Sequence, residues 1–149
     1  MAYCTVEDLT LLMSVDTLTQ LSNDDAQGEG PDQAVVARAI EHAEETIDGY
    51  LRARYELPLQ TAPTLVRGFA GAIARHWLYA RRPEGEEDLP KAVVRTYQGA
   101  MDALRAIRRG EIDIGISETQ DAQPAPSRMR VRRSGPRLFG AEVLGRYRG

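Results

Sequence analysis

The chain has 149 residues, 42% hydrophobic and 28% charged, with 19 Lys+Arg against 22 Asp+Glu for a formal net charge of −3. That length supports one core burying roughly two-thirds of the extended chain's surface without a structural metal, and a lone cysteine, Cys4, excludes an internal disulfide. The longest apolar run, Phe69 to Ala74, falls far short of the ~20 residues that span a bilayer, and Met1 to Asp8 lack the basic region and apolar stretch of a secretory signal, so a cytoplasmic product without membrane contact is expected.

Thr5 with Asp8 three residues on approximates a capping box, and Val6, Leu9, Leu12 and Met13 follow at helical spacing. Ser14 with Thr17 is a weaker cap for a second short helix carrying Val15, Leu18 and Leu21. Asn23 to Pro31 reads as a loop. It faintly resembles a calcium loop, but the twelfth position from Asn23 is Ala34 where a bidentate Glu is needed, so a solvated loop is expected.

Asp32, or the residue before it, caps a long helix predicted to reach about Arg54, with Val36, Ala39, Ile40, Ala43, Ile47, Tyr50 and Leu51 on one face. Pro58 and Pro63 bracket an extended connection. Thr64 is then expected to cap a second long helix whose stripe, Leu65, Phe69, Ile73 and Trp77, runs in i+4 steps, with Val66, Ala70, Ala72 and Ala74 on other faces. This helix should be the most buried, with Trp77 in the core. Arg81 to Asp88 is a polar loop, and Pro90 suits the first turn of a third long helix with Val94, Tyr97, Met101, Leu104 and Ile107 inward and Gly110 at its end. The fold class is therefore mainly α: a bundle of three long helices plus one or two short N-terminal ones, followed by an extended C-terminal arm.

Beyond Gly110, Ile112, Ile114 and Ile116 alternate with Asp113 and Gly115, the period of a short strand or extended arm. Three regions follow: a helical domain over 1–117, a linker over 118–127 and a basic arm over 128–149. Charge divides them. Residues 1–122 hold 12 Lys+Arg and 21 Asp+Glu, a net −9, whereas 123–149 hold seven Arg and one acid, Glu142, a net +6. Arg128, Arg130, Arg132, Arg133 and Arg137 suit phosphates and carboxylates equally, but the apolar Leu138, Phe139, Leu144 and Tyr147 beside them favour docking on a protein.

No catalytic constellation is evident. His42 and His76 fit no metal-ligand spacing, His76 beside Trp77 reads as a packing histidine, and no nucleotide-binding glycine pattern occurs. Glu44, Glu45 and Asp48 read as a solvated face with no partner nucleophile. Neither an enzyme nor a cofactor is expected.

The opening Tyr3 to Leu12, the block Ile47-Asp48-Gly49-Tyr50-Leu51-Arg52-Ala53-Arg54-Tyr55-Glu56-Leu57-Pro58-Leu59, and the ending Gly135 to Phe139 with Leu144 to Tyr147 resemble the small structural proteins that Mu-like phages and prophages encode beside the major capsid protein. The resemblance covers essentially the whole chain, and that family is in turn similar to the head–tail connector adaptors of long-tailed phages. It differs at Asn23 to Pro31, where relatives often carry a more acidic loop. The resemblance implies a virion protein of the neck, made in the host cytoplasm, that forms a ring, twelve copies by analogy, between the portal protein and the next neck or tail-completion protein.

Under that expectation the C-terminal arm docks on the portal or an adjacent subunit. Asp48, Arg52 and Arg54 lie at the periphery as candidate interface charges. Glu41, Glu44, Glu45, Glu84, Glu86, Glu87 and Asp88 line an acidic channel through which DNA passes without specific binding. The alternatives are a tail-terminator or tail-completion protein at another neck level, and a small DNA-binding protein that uses the basic tail.

Overall fold

The computed structural model describes residues 2–24, 28–81 and 89–116. Among these residues there are five helices and no strand: α1 (Val6–Leu12), α2 (Val15–Ser22), α3 (Gln33–Leu51), α4 (Thr64–Ala80) and α5 (Lys91–Arg108). The expected class, a bundle of three long and two short helices, is what forms. α4 is central and packs against α3, α5, α1 and α2.

Local chemistry sets most of the boundaries. The Thr5 hydroxyl accepts from the Asp8 N–H while the Asp8 carboxylate accepts from the Thr5 N–H, a reciprocal capping box that satisfies two otherwise orphaned donors of α1. The Ser14 hydroxyl accepts from the Thr17 N–H at the start of α2. Asp32 does the same for the N–H groups of Ala34 and Val35 in α3.

Helix α5 ends in a Schellman motif. The Glu111 N–H donates to Ala106 O and the Gly110 N–H to Ile107 O, both at 2.9 Å, with Gly110 at φ +75°.

Three boundaries differ from expectation. Helix α3 stops at Leu51 rather than near Arg54, because the Arg54 N–H donates back three residues to Leu51 O and tightens the turn ahead of Pro58. Thr64 is the first helical residue of α4 rather than its cap; Pro63 precedes it and no side chain caps this end. Pro90 likewise sits at the N-cap of α5, one position earlier than expected.

The core joins Leu9 and Leu18 to Val36, Ile47 and Leu51 of α3, Val66, Ile73 and Leu78 of α4, and Leu104 and Ile107 of α5. Full burial of each such aliphatic side chain stabilises the fold by roughly 1.5–3 kcal/mol before conformational entropy is charged against it. The face predicted for α3 packs inward, with Tyr50 half-buried at its margin; on α5 Leu104 and Ile107 are buried as expected, but Val93 and Ala100 take the inward positions while Val94, Tyr97 and Met101 are only partly buried. Val15, predicted apolar and inward, is 53% exposed.

The stripe predicted for α4 is the main correction. An i+4 row advances about 40° around a helix at each step, so Leu65 lies about 80° from Ile73. The buried set is instead Val66, Ala70, Gly71, Ile73, Ala74 and Leu78, while Leu65 is 44% exposed and Phe69 and Trp77 are only partly buried.

The segment after Gly110 forms neither a strand nor a free extension. Ile114 is buried, and its N–H reaches the Tyr55 hydroxyl at 3.4 Å. Ile116 packs against the core margin, and Ile112 faces solvent.

Candidate assembly surface

The residues before α1 are fastened to α3. The Tyr3 N–H donates to Glu44 Oε1 at 2.8 Å, and the Tyr3 hydroxyl donates to Asp48 Oδ1, so two carboxylates one helical turn apart hold one tyrosine at both ends. Burial, and next the neighbouring Asp48, push the Tyr3 phenol above its ordinary range. The adjacent Cys4 is buried, which with the Asp8 and Glu44 charges pushes its thiol up to about 12.

Of the acids expected to line a channel, Glu41 and Glu45 are exposed one turn apart on α3, whereas Glu44 is half-buried and engaged with Tyr3. Glu84, Glu86, Glu87 and Asp88 lie outside the described residues. Among the candidate interface charges, Arg52 is exposed and Asp48 holds Tyr3. The peripheral position expected for Arg54 is corrected: it is only 3% exposed, its guanidinium packed under Gly110. The turn that tightens after Leu51 carries Arg54 inward, where a helix continued to that point was expected to leave it outside. Arg128, Arg130, Arg132, Arg133, Arg137, Leu138, Phe139, Leu144 and Tyr147 lie outside the described residues.

The loop after α2 is organised by the protein's own groups. The Asn23 amide donates to Thr19 O and Gly30 O, and the Asp32 N–H donates to the Ser22 hydroxyl. Arg81 reaches across from the end of α4, donates to Leu21 O and Ser22 O at 3.1 Å each, and pairs with Asp24. A guanidinium thus sits at the carbonyl end of α2, where the helix dipole favours a cation. Between α4 and its neighbours His76 stacks on Tyr97 of α5, with centroids 3.9 Å apart, and His42 of α3 lies tilted against Trp77 at 6.3 Å. His76 is thereby a packing histidine, and burial first, then His42, pulls it below the ordinary histidine range.

The surface that sequence reasoning missed lies on the outer side of α4. Leu65, Gly68, Phe69, Ala72 and Arg75 of α4, Leu12 of α1, and Thr96 and Ala100 of α5 line an apolar groove of about 550 Å³. Leu12 is 43% exposed at its wall, and its neighbour Leu11 is 84% exposed. Small residues make the groove: a side chain on Gly68 would meet nothing within 4 Å. The signal was present, because α4 carries more apolar residues than one face can hold, and such a helix is normally covered all round. Among the described residues no group of three or more His, Cys, Asp or Glu is placed to hold a metal ion, and no helix is long and apolar enough to cross a membrane.

Comparison with known proteins places the chain in a family. The family described as Bacteriophage Mu, Gp36, matches residues 3–133. Gene product J of Escherichia phage Mu is 31% identical over 148 residues, covering 97% of this chain and 99% of that protein. The Mu-like prophage FluMu protein gp36 of Haemophilus influenzae is 30% identical over 95 residues, covering 64% of this chain and 63% of its own.

Proposed function

Because the chain belongs to the Bacteriophage Mu Gp36 family, as the Ile47 to Leu59 block led one to expect, we propose that it is a virion structural protein. In this reading it is a head-completion or head–tail connector adaptor, made in the host cytoplasm, whose copies close into a ring below the portal and continue the DNA channel. The observation that carries an assembly role is the apolar groove on the outer side of α4, where Leu65 of α4 and Leu12 of α1 are open to solvent, together with exposed Leu11 beside Leu12. Exposed contiguous apolar surface of this kind marks interaction sites. A heterologous contact repeated head to tail closes a ring when its rotation closes.

The body's net charge of −9 over residues 1–122 suits a channel wall. Like charge keeps DNA phosphates from adhering, and of the candidate lining acids Glu41 and Glu45 are exposed on α3. The basic arm over 128–149 docks on the portal or an adjacent copy, and exposed Arg52 is available at a subunit boundary. This role uses neither a catalytic step nor a cofactor.

Native mass spectrometry of the full chain, alone and with the cognate portal ring, tests the reading. A symmetric stoichiometric complex, about twelve copies per portal, is expected. A complex with a tail protein instead would move the chain to a tail-terminator or tail-completion level. Monomer in both samples, with salt-sensitive duplex binding, would replace the proposal with DNA binding through the tail.

A further inference from the structure

We propose that the α4 groove is the receptor for the chain's own C-terminal segment, residues 138–147. This deepens the docking-arm reading above by naming the surface that receives the arm, and it does not require the ring.

Three features of the groove define its occupant. Its floor and walls, Leu65, Phe69, Ala72 and Leu12, demand apolar side chains, and about 550 Å³ lies within the range of a ligand-sized cleft. Arg75 also lines it, and its Nε is buried and has no hydrogen-bond partner among the described residues. Among the described residues no carboxylate lines the groove and that N–H has no acceptor, which is costly for a buried donor. The fitting partner is therefore an apolar segment carrying one acidic acceptor.

Residues 138–147 have that composition. Leu138, Phe139, Val143 and Leu144 supply apolar bulk, and Glu142, directly beside Val143, is the one acid in the last 27 residues. The remaining charges of that stretch are all arginine, opposite in sign to the acidic body. The chain between Ile116 and Leu138 can extend to about 70 Å, enough to bring the segment onto α4 of the same copy or of a neighbour. Leu and Phe anchors seated in the groove would cover Leu12 and Leu65, and Glu142 would accept from Arg75.

The test uses the full chain with Phe139→benzoylphenylalanine, prepared as an equal mixture of ¹⁴N and ¹⁵N copies, irradiated, digested and mapped by mass spectrometry. Cross-links are expected on the groove lining: α4 between Thr64 and Arg75, Leu12, or Thr96 and Ala100 of α5. Isotopically mixed pairs would show that a neighbouring copy supplies the segment, as a ring requires. Unmixed pairs would keep the groove as receptor while removing this contact from the ring reading.

Gly68→Leu fills open space on the groove floor without touching the core, so it should lower the cross-link yield at least tenfold with the helical circular dichroism unchanged. Arg75→Glu and Glu142→Arg should each lower the yield, and the double exchange should restore it. Cross-links falling mainly outside the groove-lining residues of α4, α1 and α5, or a yield indifferent to Gly68→Leu in a folded protein, would overturn the proposal.

Discussion

Gly110 closes over Arg54: a Cβ at Gly110 would stand 2.7 Å from the Arg54 Nη1, and the glycine holds φ +75°. Two constraints meet at one residue, a left-handed backbone and a buried guanidinium beneath it. Gly110→Ala should therefore lose about 1–2 kcal/mol from backbone strain, and more if Arg54 cannot shift. Gly99, inside α5 with open space around it, provides the contrast, since Gly99→Ala should gain about 0.5–1 kcal/mol from helix propensity. Urea denaturation of both variants checks the pair, and equal shifts would show that Gly110 carries no special load.

The caps and the inward face of α3 were legible because each is a local pattern. Thr5 with Asp8, Ser14 with Thr17, Asp32, and Gly110 each act through backbone groups within a few residues, so spacing alone locates them. What was not legible depended on geometry that spacing under-determines. The row Leu65, Phe69, Ile73, Trp77 is regular, yet its drift around α4 takes Leu65 to the outer face, and only the positions of α1 and α5 decide which of two apolar faces becomes the core. Arg54 was misplaced for a similar reason, since a tighter turn after Leu51 rotates it inward. Glu44 and Asp48 looked like solvated acids because their partner, Tyr3, lies more than forty residues away in sequence.

The two faces of α4 predict different sensitivities. Leu78 is fully buried in the core and Trp77 only partly so, against His42. Leu78→Ala should cost roughly 2–5 kcal/mol, as buried leucine truncations do. Trp77→Ala should cost less, at or below about 2 kcal/mol, the low end of that range, despite removing the larger side chain. Thermal melts in which Trp77→Ala is the more damaging change would restore Trp77 to the core and contradict the observed packing.

Tyr3 and Cys4 report on one clamp. A hydrogen bond to a charged acceptor contributes about 1.5–3 kcal/mol, so Tyr3→Phe should loosen the N-terminal segment by about that amount locally, with a smaller change in global stability. Cys4 supplies the readout: a thiol pushed up to about 12 and buried is almost wholly protonated at pH 8 and shielded. Alkylation of the native protein by iodoacetamide should be slow beside that of the urea-unfolded chain, and Tyr3→Phe should accelerate it at least tenfold. Fast alkylation of the unsubstituted protein would mean that the segment is not clamped on α3.

His76 makes stability depend on pH with a definite sign. Its folded-state affinity for protons lies below that of an ordinary histidine, because burial and then His42 disfavour the cation. Between the unfolded value near 6.5 and the lower folded value, the unfolded chain binds more protons, so stability rises with pH. The contribution is complete above the unfolded value and is lost as pH falls through it, flattening once the folded-state imidazole protonates as well. Charging His76 also disturbs its stack on Tyr97, 3.9 Å away. Urea denaturation between pH 7.5 and 5.5, above the range where ordinary carboxylates titrate, should show falling stability that is absent or smaller in His76→Gln. An equal fall in both proteins would assign the dependence to a group other than His76.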